Sequence, residues 1–405
     1  MKKFTFLFCA TFVALGLVAQ ASESGLKQLW KSTDYSWNAG NLSRSIAYYD
    51  GKIYVPENNG ANSAVHVINA ITGVEDAGAK IAHADFQSFG IAVDNAGHLI
   101  LPKNTAGASD WILSKVDIAT GTVTAMNEGK SFNTVNRIDY LAIYGNIESA
   151  GEPAYIIGAS TTTPPIKAWE IKSGDLTATP VFSWSRPAAS VAADIKWIDA
   201  THFLLTQQNT AATPKPYIMT VDFSATDYIT KTEEINLTST IIGGGAYFKL
   251  KDKPYIVFPT GTDAQYGAVG IFDISDIENP VAVGDVTAAI GNTANGALHL
   301  GIEAVKIADD KAIIYVWSPN NGAAAYEFTA GETSINKIPA KSDIFVKPTT
   351  GGIEIQLEAT SVIELYSVGG SLIDKTIAAG TYTRTLAPGV YVVRVNGSAM
   401  KFVKM

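Results

Sequence analysis

One cysteine in 405 residues leaves nothing to form an intramolecular disulfide or a multi-cysteine metal cluster. Charge is sparse at 17%, and acids outnumber bases by 38 to 30. The chain therefore lacks the basic face with which nucleic-acid binders displace phosphate counterions, and nucleic acid is excluded as a partner. A hydrophobic content of 47% is too high for a disordered chain. Beyond the first twenty or so residues no apolar run is long enough to span a bilayer, so no transmembrane segment is expected in the mature chain. Catalytic signatures are missing as well. His66, His83, His98, His202 and His299 fall in no H-E-x-x-H or other paired metal spacing. There is no G-x-S-x-G elbow and no glycine loop that would cradle phosphate. IADDKA (307–312) lacks the acidic alternation of a calcium loop. No cofactor and no metal are expected.

What is present begins with a leader. Lys2 and Lys3 precede an apolar run from Phe4 to Val18, and Ala19-Gln20-Ala21 forms an A-x-A cleavage site. The expected signal peptide is 1–21, cleaved after Ala21, giving an exported protein, secreted or held at the outer-membrane surface. Cys9 lies inside the leader behind Leu7 and Phe8, not behind the small residues that a lipidation site needs. The mature chain would be free of cysteine and dependent on its core for stability.

From 22 to 340 one pattern recurs six times. Its most regular mark is an apolar–polar pair ahead of a short turn, at Ile68, Val116, Trp169, Val221, Phe272 and Tyr326. A middle strand precedes each: KIYVPEN (52–58), HLILPKN (98–104), AYIIGAS (154–160), HFLLTQQ (202–208), PYIVFPT (254–260) and AIIYVWSP (312–319). Another strand precedes each of those, from SIAYYD (45–50) to IEAVKIADD (302–310), and a fourth follows the turn. Four short strands in each repeat of about 50 residues predict an all-β fold, a six-bladed β-propeller. LKQLWKST (26–33) is placed to complete the sixth blade. SINKI (334–338) competes for that position, and a seventh, degenerate blade is the alternative. The body resembles exported propeller proteins of Bacteroidetes of uncharacterised function, in general pattern and without a catalytic motif.

The tail, 341–405, differs in charge and texture. It carries seven basic and five acidic residues, whereas the body carries 21 and 33. Strands IEIQLE (353–358), VIELYSV (362–368), YTRTL (382–386), VYVVRV (390–395) and MKFVKM (400–405) alternate with Gly-containing turns and predict a small C-terminal β-sandwich. The order VIELYSVGGSLI, LAPGVYVVRV and a terminal KFVKM resembles the C-terminal type A sorting domain of the type IX secretion system. It departs from that pattern at its start, where VKPTTGG replaces an Asn-Pro pair. The resemblance implies an export-machinery partner and removal or surface attachment of the tail.

In a propeller, second-to-third and fourth-to-first loops open on one face, and here those loops are the long, polar ones: 56–64, 102–110, 158–165, 207–216, 259–268 and 318–325. Asn58, Asn104, Gln208, Tyr266 and Asn320 lie on them. Amides supply donor and acceptor, and aromatic rings supply stacking area, so a glycan or protein ligand is expected there. The start of each first strand reaches the same face beside the axis, bringing Arg44, Gln87, Arg137, Asp194, His299 and Glu303 into a candidate ligand ring. The leading expectation is thus a binding or interaction module. The alternative is a polysaccharide-active enzyme, a glycoside hydrolase or lyase, using Asp194 and Glu303 as a carboxylate pair. The GGG run 243–245 precedes a strand and predicts close backbone approach near the axis.

Overall fold

The computed structural model describes residues 26–330 and 345–404, apart from 85, 87, 104–111, 127–137, 161–164, 177–180, 186–191, 209–214, 226–227, 238–241, 350, 368–370 and 396–397. The chain divides into two compact units, 1–333 and 334–405. The boundary expected at 340/341, the leader and SINKI lie outside the described residues.

The first unit is all-β, an array of antiparallel sheets consistent with a propeller. Sheet I pairs Ala47–Tyr49, Lys52–Glu57, Ala64–Asn69 and Ile81–Ala82 in sequence order. Sheets II to V repeat that order, with first strands Ala92–Val93, Ile138–Tyr144, Ala192–Asp199 and Ala246–Leu250. Sheet III has its outer strand in two pieces, Asp175–Leu176 and Phe182–Ser185. Sheet VI contains Gly301–Ala308, Lys311–Ser318 and Gly322–Thr329, and its fourth strand is Leu26–Ser32 from the other end of the unit.

Local chemistry explains the repeat. Second strands are apolar on both sides because each lies between two neighbouring sheets: Ile53, Val55, Leu99, Leu101, Ile156 and Phe258 are all buried. The polar residue that closes many third strands then makes the turn. Oδ1 of Asn69 accepts the N–H groups of Ile71 and Thr72, and Oδ1 of Asp117 those of Ala119 and Thr120. Asp222 and Asp273 accept from the amides of Ser224 and Ser275 in the same way. One apolar cluster fills each junction, I–II around Tyr54 and Leu99, II–III around Ile100 and Ile156, III–IV around Ile157 and Phe203. Leu204 and Ile256 mark IV–V, Val257 and Ile314 mark V–VI, and Val55 and Trp317 mark VI–I.

Two expectations change. The stretch 318–325 is not a long loop: the strands around it end at Ser318 and restart at Gly322. Ala323, Ala324 and Ala325 are buried on the third strand of sheet VI, which pairs with the second strand on one side and Leu26–Ser32 on the other. In the second unit, IEIQLE and VIELYSV run on as one strand, Gly352–Ser367, with a register shift between Leu357 and Ser361. That segment contains neither Gly nor Pro to end it, so the strand bends instead. It pairs with Leu372–Thr385 and Gly389–Val395 in a five-stranded antiparallel sheet whose core includes Ile355, Leu365, Val393 and Phe402.

Candidate functional site

The first strands of sheets IV and VI carry the two carboxylates in equivalent register, Asp194 opposite Thr206 and Glu303 opposite Tyr315. Lys196 follows Asp194 on the same side of its strand and forms a salt bridge to Glu303 Oε1. His299 precedes the first strand of sheet VI. Its Nδ1 donates to the Arg44 carbonyl at 2.9 Å, and its Nε2 lies 3.4 Å from Asp194 Oδ2. The Tyr140 ring, from sheet III, stacks on the imidazole with centroids 4.1 Å apart. The Arg44 guanidinium stands 3.6 Å from Asp139 Oδ2 and 3.6 Å above the Phe89 ring.

Backbone closes the same region. Gly243 and His299 form a parallel bridge, and the Gly244 amide donates to Thr206 Oγ1 at 3.1 Å. Gly244 has φ +110°, and a Cβ there would lie 2.2 Å from the Leu300 carbonyl oxygen. The glycine run is thus required for backbone contact. The Ser45 hydroxyl donates to the Phe89 carbonyl, and the Asn295 amide donates to the His299 carbonyl at 2.7 Å.

The electrostatics follow from enclosure. Lys196 and Glu303 keep 22% and 24% of their side chains accessible, yet protein surrounds both groups. This is the situation of groups facing a narrow space instead of open solvent. Burial raises the Glu303 pKa, and attraction to Lys196 offsets only part of that rise. For Lys196, burial works downward, but the charges of Glu303 and Asp194 and the bond to Glu303 outweigh it, so its net shift is upward. The ammonium is retained, and a proton on Glu303 is easier to keep than on an exposed glutamate.

Of the predicted residues, the structure brings Arg44, Asp194, His299 and Glu303 into one network. Asn320 joins it at one remove: its amide donates to Asn41 Oδ1 at 2.8 Å, and the Asn41 carbonyl accepts from Arg44 Nε. Asn320 has φ +66°, a backbone form that Asn tolerates better than most residues. Asn58 and Tyr266 serve neighbouring loops, Asn58 donating its N–H to the Leu42 carbonyl and the Tyr266 carbonyl accepting from Ile290. Gln87, Arg137 and Asn104, and the side chain of Gln208, lie outside the described residues. Sequence reasoning missed Asp139, Tyr140 and Lys196. Lys196 was the most accessible of these, since it follows Asp194 at the two-residue spacing that keeps a side chain on one face of a strand.

No family model matches the chain, and no curated protein matches its sequence. Solved structures do. The chain is similar to a DUF4623 family protein from Bacteroides eggerthii, with a TM-score of 0.50 and 12% identity over 75% of this chain and 74% of that one. A protein of unknown function from Dyadobacter fermentans gives 0.49 at 10% identity, over 75% and 99%. The WD40 domain of coronin from Toxoplasma gondii gives 0.42 at 9%, over 77% and 86%. At such identities the likeness to the Bacteroides protein shows a shared fold and nothing of activity.

Proposed function

We propose that the six sheets are the blades of a closed six-bladed propeller that works as an exported binding module. In this reading the leader directs export, the tail is a sorting β-sandwich, and the long-loop face meets a hydroxyl-rich ligand, a glycan chain. The observation that carries it is the mutual pairing of the axial charges. Arg44 faces Asp139, His299 faces Asp194, and Lys196 holds Glu303. Groups neutralised by one another brace a scaffold, whereas an acid–base pair for glycoside cleavage needs both carboxylates free to reach substrate. Recognition then falls to the loops around the axis, where Asn59, Asn62 and Asn292 are exposed.

One observation favours the hydrolase reading: burial raises Glu303, as a general acid requires. A single pair of assays separates the two. Thermal shifts of the mature chain against a panel of polysaccharides are expected to show stabilisation by at least one glycan, without release of reducing ends. Reducing-sugar release that is lost in Glu303→Gln would replace the binding module with an enzyme.

A further inference from the structure

The junction of sheets VI and I is where the two ends of the first unit meet, and a separate cluster crosses it. His66, on the third strand of sheet I, is buried with a carboxylate at each ring nitrogen. Glu75 Oε1 lies 2.7 Å from Nδ1 and Glu57 Oε2 2.9 Å from Nε2. Trp37 lies flat on the imidazole, centroids 3.7 Å apart at 11°, and donates from Nε1 to Glu75 Oε2 at 2.9 Å. The other side of this stack belongs to sheet VI, since Trp37 also stacks on Trp317 at 5.1 Å.

Residues 30–44 run from the last strand of sheet VI to the first of sheet I, fastened to both. Trp30 Nε1 donates to the Ala70 carbonyl, and the Tyr35 hydroxyl donates to the Gly73 carbonyl at 2.6 Å, both in the turn after the third strand of sheet I. The Asn320 N–H donates to Asn38 Oδ1 at 3.0 Å, in sheet VI.

A neutral imidazole has one donor and one lone pair, so it satisfies one carboxylate and turns a lone pair on the other. Only the imidazolium donates to both, and its charge adds a cation–π attraction to the stack on Trp37. Among the described residues no Lys or Arg pairs with Glu57 or Glu75. The remaining titratable neighbour, Tyr35, is pushed up to about 12, chiefly by burial, and stays neutral at ordinary pH.

We propose that residues 30–44 form a proton-dependent clasp over this junction, closed while His66 carries both ring protons and loosened when it loses one. The sign is fixed by geometry. The second ring proton keeps the clasp shut, and its loss as pH rises removes one of two buried hydrogen bonds and sets a carboxylate against a lone pair. The segment that gains freedom is 26–44, because among the described residues its strand Leu26–Ser32 is held on one side, by Gly322–Thr329.

The test uses the mature full-length chain. Nitrogen NMR of the His66 ring through a pH titration is expected to show the second ring proton lost as the clasp loosens. Hydrogen exchange of amides 26–32, corrected for the chemical rate, is expected to quicken about tenfold across that loss, while amides of the second strand of sheet VI hold steady. His66→Gln, which cannot titrate, is expected to exchange at one corrected rate throughout the titration. A His66 ring that carries a single proton at every pH where the chain stays folded overturns the proposal. So do exchange at 26–32 that follows the chemical rate alone and a His66→Gln chain that keeps the wild-type dependence.

Discussion

At the scale of single residues, the candidate site is set by atoms that are missing as much as by those present. Gly244 lets the backbone of sheet V touch the Leu300 carbonyl, and its φ of +110° is one that side chains rarely permit. Gly121 also has a positive φ, +70°, but faces open space. The two glycines therefore separate backbone strain from contact. Gly121→Ala is expected to cost about 1 kcal/mol, and Gly244→Ala about 3 kcal/mol or more, because conformation and clash add. Urea denaturation midpoints of the two variants check this, and equal losses would remove contact as the reason for the glycine. The run 243–245 was readable in advance, since glycine next to a strand often marks close approach of another backbone. Asp139 was not readable, because its value lies in facing Arg44 from another sheet. No spacing along the chain encodes a contact made between separate sheets.

At the scale of elements, the strand order was legible because each strand type has its own texture. The second strands predicted at 52–58, 154–160 and 202–208 appear at Lys52–Glu57, Ala154–Ser160 and His202–Gln208. Buried on both sides, they must be continuous apolar runs. Loops were less legible: Gly-Ala-Ala-Ala at 322–325 has the composition of a flexible link and the burial of a core strand. Composition does not tell a small side chain chosen for freedom from one chosen for fit. The first strands of sheets IV and VI are joined by Lys196 and Glu303, and that bond makes a measurable demand. Removing one partner leaves a buried, uncompensated charge, so Lys196→Met alone is expected to cost about 3–5 kcal/mol. Replacing both, with Lys196→Met and Glu303→Leu, is expected to recover most of that loss, to within about 1–2 kcal/mol of the parent. A double-mutant cycle by chemical denaturation reads the difference. Additive losses would mean that the two groups do not depend on one another.

At the scale of the whole molecule, each unit has an apolar interior of its own. Among the described residues, the six junction clusters are built from the first unit, and the tail cluster of Ile353, Ile363, Tyr382, Val395 and their neighbours from the second. Burial of apolar area is the main term that stabilises each, so each should unfold on its own account. Their sizes set the order. A short unit buries a smaller fraction of its surface than a long one, and among the described residues 334–405 has one cluster where the body has six. Calorimetry of the mature chain is therefore expected to show two transitions, the tail melting first. Ending the chain after Thr333 should remove the lower transition and move the upper one by less than about 2 °C. This bears directly on the proposed sorting role, because a tail that is cleaved after export must leave behind a body that stands without it. A single transition in the full chain, or a marked fall in the body's melting temperature on truncation, would make the tail a stabilising part of the body. It would also rule out clean removal as its fate.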